Sequence, residues 1–358
     1  MIALTAAVQD PLNCPLRKGQ STPTFLRAVV RELWDQEILL REYQQNPKFY
    51  GSYITHIYRD ILVAACRSDF QTPECSHRHI FDLVKRLKCQ RWTKLEATGY
   101  LQTLSSCSDA AYLERCVDIA AGLLVPLNFQ GVGGARRGEI VRWEDNMCLS
   151  ETVSNWMAVN SSGVLQNQCT SCSSSWRFCR KFNAYQVTHI SGFEIVWTSN
   201  LADHLLVQDD DDKVKLHIFH QVKVLENHLA FQSTILSRNL ILETMDTLAL
   251  LVPRTDPKVR RWYKALQKLH TLDPGVLSLE YLSLENRDIN HFKCWGGRLR
   301  KLKQAFDDHE PNGPLQWWRD DRKSVQWWTF WVAALVLILT IVFGFTQSVA
   351  SIMQVLRL

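Results

Sequence analysis

The sequence predicts a mainly α-helical body with a small antiparallel β element, an α+β arrangement, followed by one C-terminal transmembrane helix. Three observations carry this prediction. Apolar residues recur at helical spacing through the first and last thirds of the body. Two short middle segments, residues 193–198 and 214–219, alternate apolar and polar side chains as half-buried strands do. Residues 327–345 hold no charged side chain, and Thr329 and Thr340 are their only polar ones.

The N-terminal helical region is residues 1–125. Thr22 stands as N-cap before Pro23, the favoured residue for a first helical position. Phe25, Leu26, Val29, Val30 and Leu33 then form an apolar face, and the helix should end before Pro47. Ile54, Ile57, Tyr58, Ile61, Leu62 and Ala65 predict a second helix, and Ile80, Val84 and Leu87 a third. Leu113, Cys116, Val117, Ala120 and Leu124 predict a fourth that ends before Pro126. Such helices belong to a bundle or to stacked pairs.

Residues 126–235 form a mixed region. "GVGGARRG" reads as a flexible loop, followed by a short strand at 139–143. Asn200 or Ser199 should cap a short helix between the two alternating segments, and the aspartates at 209–212 should make a solvated turn back. The C-terminal helical region is 236–306. Met245, Leu248, Ala249 and Val252 lead to Pro253, and Asp256 with Pro257 opens a helix carrying Val259, Trp262, Tyr263, Leu266 and Leu269. Phe292, Trp295, Leu299, Leu302 and Phe306 mark the last helix of the body.

Residues 307–324 are a linker with a basic, Trp-rich flank, 325–346 the membrane helix and 347–358 a short lumenal tail. A bilayer core needs about 20 apolar residues in helical form, because unpaired backbone groups are too costly in lipid. Trp327, Trp328 and Trp331 fit the headgroup layer, while Leu335, Leu337, Leu339, Ile341 and Phe343 face hydrocarbon. Arg319, Arg322 and Lys323 lie before the span, after Arg298, Arg300, Lys301 and Lys303, and only Arg357 follows it. Basic residues stay cytosolic, so the body should face the cytosol. The expectation is a single-pass, tail-anchored chain in the endoplasmic reticulum or another endomembrane. Val349, Ile352, Met353 and Leu356 could line the far interface as an amphipathic tail. Thr340, Gly344 and Ser348 offer at most a weak homodimer contact.

The strings "ETMDTLALLVPRTDPKVRRWYKALQKLHTLDP", "LRKLKQAFDDHEP" and "QWWRDDRKSVQWWTFWVAALVLILTIVFGFTQS", with "LLVPLNFQG", "VRWEDNMCLSE" and "ISGFEIVWTSNLADHLLVQDDDD" upstream, carry a further signal. They resemble a large family of uncharacterised fungal single-pass membrane proteins over at least residues 123–347. The resemblance implies one span, a large cytosolic part and no assigned activity. Asp321 departs from the family pattern, which more often has arginine after the first aspartate.

Catalytic and metal motifs are weak. "GVGGARRG" lacks the Gly-Lys-Ser/Thr ending of a phosphate loop. Cys169 and Cys172 have a zinc-like spacing, with Cys179 and Cys148 as weak further candidates, but free thiols in a Ser-rich loop fit better, and no metal or other cofactor is expected. Eleven cysteines without a repeating spacing suit a reducing compartment. His189, His204, His217, His220 and His228 gather in sequence without a nucleophile or a metal-ligand pattern. The aspartate run lacks an EF-hand pattern. The net charge of +5 demands no nucleic-acid partner. The expected partners are the lipid bilayer and unidentified proteins. These readings favour a membrane-tethered scaffold or interaction module over an enzyme. The alternatives are a cytosol-facing enzyme of unrecognised type, or a lipid-contacting module that uses "KVRRWYKALQKLH" and "RLRKLK".

Overall fold

The computed structural model describes residues 10–14, 22–34, 75–105, 107–130, 138–166, 177–180, 182–210, 213–231, 234–270, 272–308 and 324–355. The helix expected over 54–65, Cys169, Cys172, Asp211, Asp212, Arg319, Arg322 and Lys323 lie outside these residues.

The N-terminal helices follow their sequence signals. Helix α1 (Pro23–Trp34) starts at Pro23, with the Phe25 N–H donating to Thr22 Oγ1 at 3.4 Å. Helix α2 (His77–Cys89) is closed by a capping box between Ser76 and His79. Arg78 pairs with Asp10 and with Glu32, which also pairs with Lys85, so ionic contacts join the N-terminal segment, α1 and α2. Helix α3 (Lys94–Leu104) opens on a Thr93–Glu96 capping box. Helix α4 (Ala110–Leu124) buries nearly its whole C-terminal half and packs on α2 and α3. A buried ion pair, Lys94 Nζ to Asp118 Oδ1 at 3.0 Å, ties α3 to α4.

Helix α5 (Leu149–Gln166) precedes α6 (Ala184–Ser191), which Asn183 caps and Gly192 ends in the left-handed conformation at φ 70°. Strands β1 (Glu194–Thr198), β2 (Val207–Asp210) and β3 (Lys213–Phe219) form a sheet of order β1-β3-β2. The two strands read from alternation are present, but they pair in parallel, Glu194 with Lys215 through Thr198 with Phe219. The antiparallel partner of β3 is β2, with Val207 opposite Leu216 and Asp210 opposite Lys213. The small β element is therefore mixed. Asp209 and Asp210, expected in a turn, lie on the exposed strand β2, where charge discourages edge pairing with another chain. The strand expected at 139–143 reduces to one bridge between Phe129 and Val141. The helix expected after Asn200 is a short 3-10 turn, Leu201–Asp203.

Helices α7 (Val222–Ala230), α8 (Arg238–Leu251), α9 (Pro257–Leu269) and α10 (Gly296–Asp308) complete the body. Asp256 and Pro257 cap and open α9 as expected. One buried apolar cluster runs from Leu12 in the N-terminal segment to Phe306 in α10, with Phe129, Phe193, Phe219, Tyr263 and Trp295 among its members. Helix α11 (Ser324–Val355) follows. It is unbroken through 347–355, so the residues expected as a tail continue the apolar helix up to Val355.

Candidate functional site

Two features stand out: a long helix whose apolar side chains are exposed, and a half-buried polar network at one end of the sheet. Residues Trp328–Gln354 of α11 are long and apolar enough to cross a membrane, with mean hydropathy 2.3 over their most apolar 18 residues, none of which is buried. Trp328, Leu335, Leu337, Leu339, Ile341 and Phe343 are all exposed, and Trp331 is partly covered. The hydroxyls of Thr340, Thr346 and Ser348 donate to the carbonyls of Val336, Val342 and Gly344 at 2.8, 2.8 and 2.9 Å. These polar groups are thus satisfied inside the helix, which removes most of their cost in an apolar solvent. A Cβ on Gly344 would meet nothing within 4 Å.

The polar network is built on Arg298 of α10. Its guanidinium donates to Glu139 Oε2 at 2.7 Å, Asn160 Oδ1 at 3.0 Å and the His204 carbonyl at 2.8 Å, and also to the Ala202 carbonyl. It lies over the Trp295 ring, 5.5 Å from the centroid. Trp156 donates its indole N–H to Glu139 Oε1 at 3.0 Å. The backbone of Glu139 is held as well: its N–H donates to Asp203 Oδ1 at 2.6 Å and its carbonyl accepts from Asn200 Nδ2 at 2.8 Å. Gly138 makes that approach feasible. Its φ is +143°, and a Cβ there would come within 2.5 Å of Asp203 Oδ2. The last glycine of "GVGGARRG" therefore serves close packing at this carboxylate. Arg298, counted in sequence with the free basic flank, is instead internal and paired with Glu139.

The histidines do not converge. His204 is fully buried. Its Nδ1 accepts from the Phe219 N–H at 3.2 Å, so Nε2 carries the proton and donates to Thr247 Oγ1 at 2.8 Å. Thr247 passes its own hydroxyl proton to the Thr244 carbonyl at 2.7 Å. Burial, and then the Arg298 charge, push His204 down to about 3. His228, 1% exposed, bonds the Leu124 carbonyl at 3.0 Å and packs edge-on against Trp34; burial lowers it to about 4. His217 sits beside Gln208 Oε1 at 3.0 Å, and its pKa is lowered by burial. The buried His220 accepts the Asp273 N–H at 3.3 Å, and His189 stacks on Tyr185 at 3.9 Å. Each ring is used by its own local partner.

Among the described residues no group of three or more His, Cys, Asp or Glu could hold a metal ion. Cys148 is buried with its Sγ 3.2 Å from Ser150 Oγ, and Cys179 is exposed. An open groove of about 680 Å³ beside α3 and α4 is lined by both signs of charge, including Lys94, Arg115, Asp118, Arg142 and Asp145.

Sequence reasoning missed two polar features. Glu243 of α8 accepts the N–H groups of Lys293, Cys294 and Trp295 at 3.0, 2.9 and 2.6 Å, which fixes the entry to α10. Cys116 lies against Cys75 and Tyr112; hydrogen bonding to Cys75 and then burial raise its thiol far above the usual range. An acid inside a helix of otherwise apolar character, as in "LILETMDTLALL", was the available signal for Glu243. No protein-family profile, curated protein or solved structure matches the chain.

Proposed function

We propose that this protein is a membrane-tethered interaction module, with its helical body held at the cytosolic face by α11. The observation that carries the reading is the exposed apolar span Trp328–Gln354 beside a body that buries its own core. So much apolar surface is unfavourable in water, at about 25 cal/mol per Å². The saturated network around Arg298 supports an interaction module over an enzyme, since its donors and acceptors are committed to one another. The excess of lysine and arginine before the span supports a cytosolic body. The resemblance of residues 123–347 to single-pass fungal proteins points the same way, and an endomembrane such as the endoplasmic reticulum is the proposed location.

Microsomes bearing the protein test this reading. The chain should resist carbonate extraction, and protease added outside should digest the body while sparing a tag after Leu358. Release by carbonate, or protection of the body, would refute it. Proximity labelling from the N-terminus should then report protein partners at the cytosolic face.

A further inference from the structure

Helix α9 is basic beyond anything the fold requires. It carries Lys258, Arg260, Arg261, Lys264 and Lys268, all exposed, and no acidic residue, and Arg254 precedes it, also exposed. The neighbouring acid, Asp256, is committed as N-cap, accepting from the Lys258 and Val259 N–H groups at 2.8 and 3.4 Å. None of these cations forms an ion pair among the described residues. A helix advances about 100° per residue, so Arg260, Arg261, Lys264 and Lys268 share an arc of roughly 100°. That arc faces away from Val259 and Tyr263, the residues α9 buries. The exposed Leu269 and the half-buried Trp262 flank it.

This arrangement works against the helix itself. Arg260, Lys264 and Lys268 repel at i,i+4 spacing. Lys258, Arg260 and Arg261 stand at the positive end of the helix dipole. The other basic string is different: in α10, Arg298 is internal, Lys303 pairs with Asp307 and Arg300 is half-buried, so Lys301 is the exposed cation there without an ion pair among the described residues. Helix α9 therefore presents more exposed cations than α10.

We propose that this face of α9 docks on anionic phospholipid headgroups of the membrane that α11 spans. The proposal rests on the reading of α11 as a span. Charge complementarity selects the occupant, and covalent geometry supplies it. The fifteen residues between Asp308 and Ser324 reach at most about 50–55 Å, so the body cannot leave the neighbourhood of the bilayer. Tethering at that range gives an effective concentration on the order of millimolar, enough to occupy a weak patch. Each lysine or arginine at an anionic leaflet strengthens partitioning about five-fold.

The test uses the full chain in nanodiscs of pure phosphatidylcholine or of phosphatidylcholine with phosphatidylserine. An amine-reactive acetyl ester reads the exposure of Lys258, Lys264 and Lys268, with exposed Lys213 on β3 as internal reference. Labelling of the α9 lysines should fall several-fold in the anionic discs and recover in high salt. It should also recover in Arg260→Gln/Arg261→Gln, which keeps every reporting lysine. Equal labelling in both lipids would overturn the proposal. So would protection by soluble polyglutamate or RNA in neutral discs without protection by phosphatidylserine, which would make the partner a soluble polyanion. If the chain does not enter nanodiscs, the span reading fails by itself. Flotation with phosphatidylserine vesicles then still reads α9: binding lost in the double variant supports docking, and binding to neutral and anionic vesicles alike refutes it.

Discussion

Replacing Arg298 with methionine should destabilise the body by about 3 kcal/mol. The guanidinium now satisfies Glu139 Oε2, Asn160 Oδ1 and the carbonyls of Ala202 and His204. Methionine fills much of the same volume but donates nothing, so these acceptors lose their partner. Breaking a buried ion pair from one side costs about 3–5 kcal/mol. The Glu139 side chain is 32% exposed, so water recovers part of that loss and the pair counts for about 1–2 kcal/mol. Each orphaned carbonyl adds roughly 1 kcal/mol, partly offset by local relaxation. For a body of about 300 residues the total corresponds to a fall in Tm of about 4–5 °C. Thermal unfolding of the full chain in micelles, followed by circular dichroism, measures it. A double-mutant cycle with Glu139→Gln should return a coupling of about 1–2 kcal/mol. A Tm change below 2 °C, or additive losses in the cycle, would show that the network is not what holds α10 to the 138–141 and 201–204 segments.

Stability should also fall on mild acidification. His204 and His228 have folded pKa values near 3 and 4, against 6.5 when unfolded. Between pH 6.5 and 4 the unfolded chain binds protons there that the folded chain does not, so stability is full above 6.5 and declines below it, by up to about 1.4 kcal/mol per pH unit for each ring. Asp203 and Asp273, raised by burial, act with the opposite sign as they protonate in the fold. Tm measured from pH 7.5 to 5 should drop, and the drop should shrink in His228→Asn; an unchanged slope would refute the assignment. Cys169→Ser/Cys172→Ser should leave Tm unchanged, and elemental analysis of the wild type should find no zinc; a loss of several degrees together with bound zinc would restore a metal site. Energy transfer between labelled copies of 324–358 in bilayers should be weak and indifferent to Gly344→Ile, because the Thr340 and Ser348 hydroxyls beside Gly344 are already bonded to carbonyls of their own helix and offer little glue to a second one. Strong transfer abolished by that substitution would make α11 a dimerisation element.

Local rules made part of this fold legible. Thr22–Pro23 and Asp256–Pro257 announce α1 and α9 because a cap and a fixed φ act within a few residues. Helix α3 had the same kind of signal in Thr93 and Glu96, yet its apolar positions are too few to show a stripe, so the segment carried no periodicity to read. Helices α5 and α6 were missed for the related reason that their faces mix small and polar residues. The two strands were visible from alternation, but their pairing was not. Alternation says which side chains share a face, and nothing about which strand lies alongside. Here the 3-10 turn and β2 occupy the connection, so β1 reaches β3 from the other side and the pair becomes parallel.

Charge was the least legible property, and the candidate sites depend on it. Arg298 and Arg260 are the same residue type, on helices with similar basic strings, and the sequence offers no local mark to separate them. Their fates are set from far away. Arg298 meets Glu139, a residue distant in the chain, through Gly138 and the turn at 201–204. Arg260 meets no acid among the described residues, because α9 turns its basic arc away from the elements it packs against. Burial converts one arginine into an internal tie worth several degrees of Tm, and exposure leaves the other as a surface charge with an open valence. Only the span was readable without such long-range information, since length and apolarity suffice for it. Which cations of such a chain are free can therefore be read only after the ion pairs of the body have been assigned.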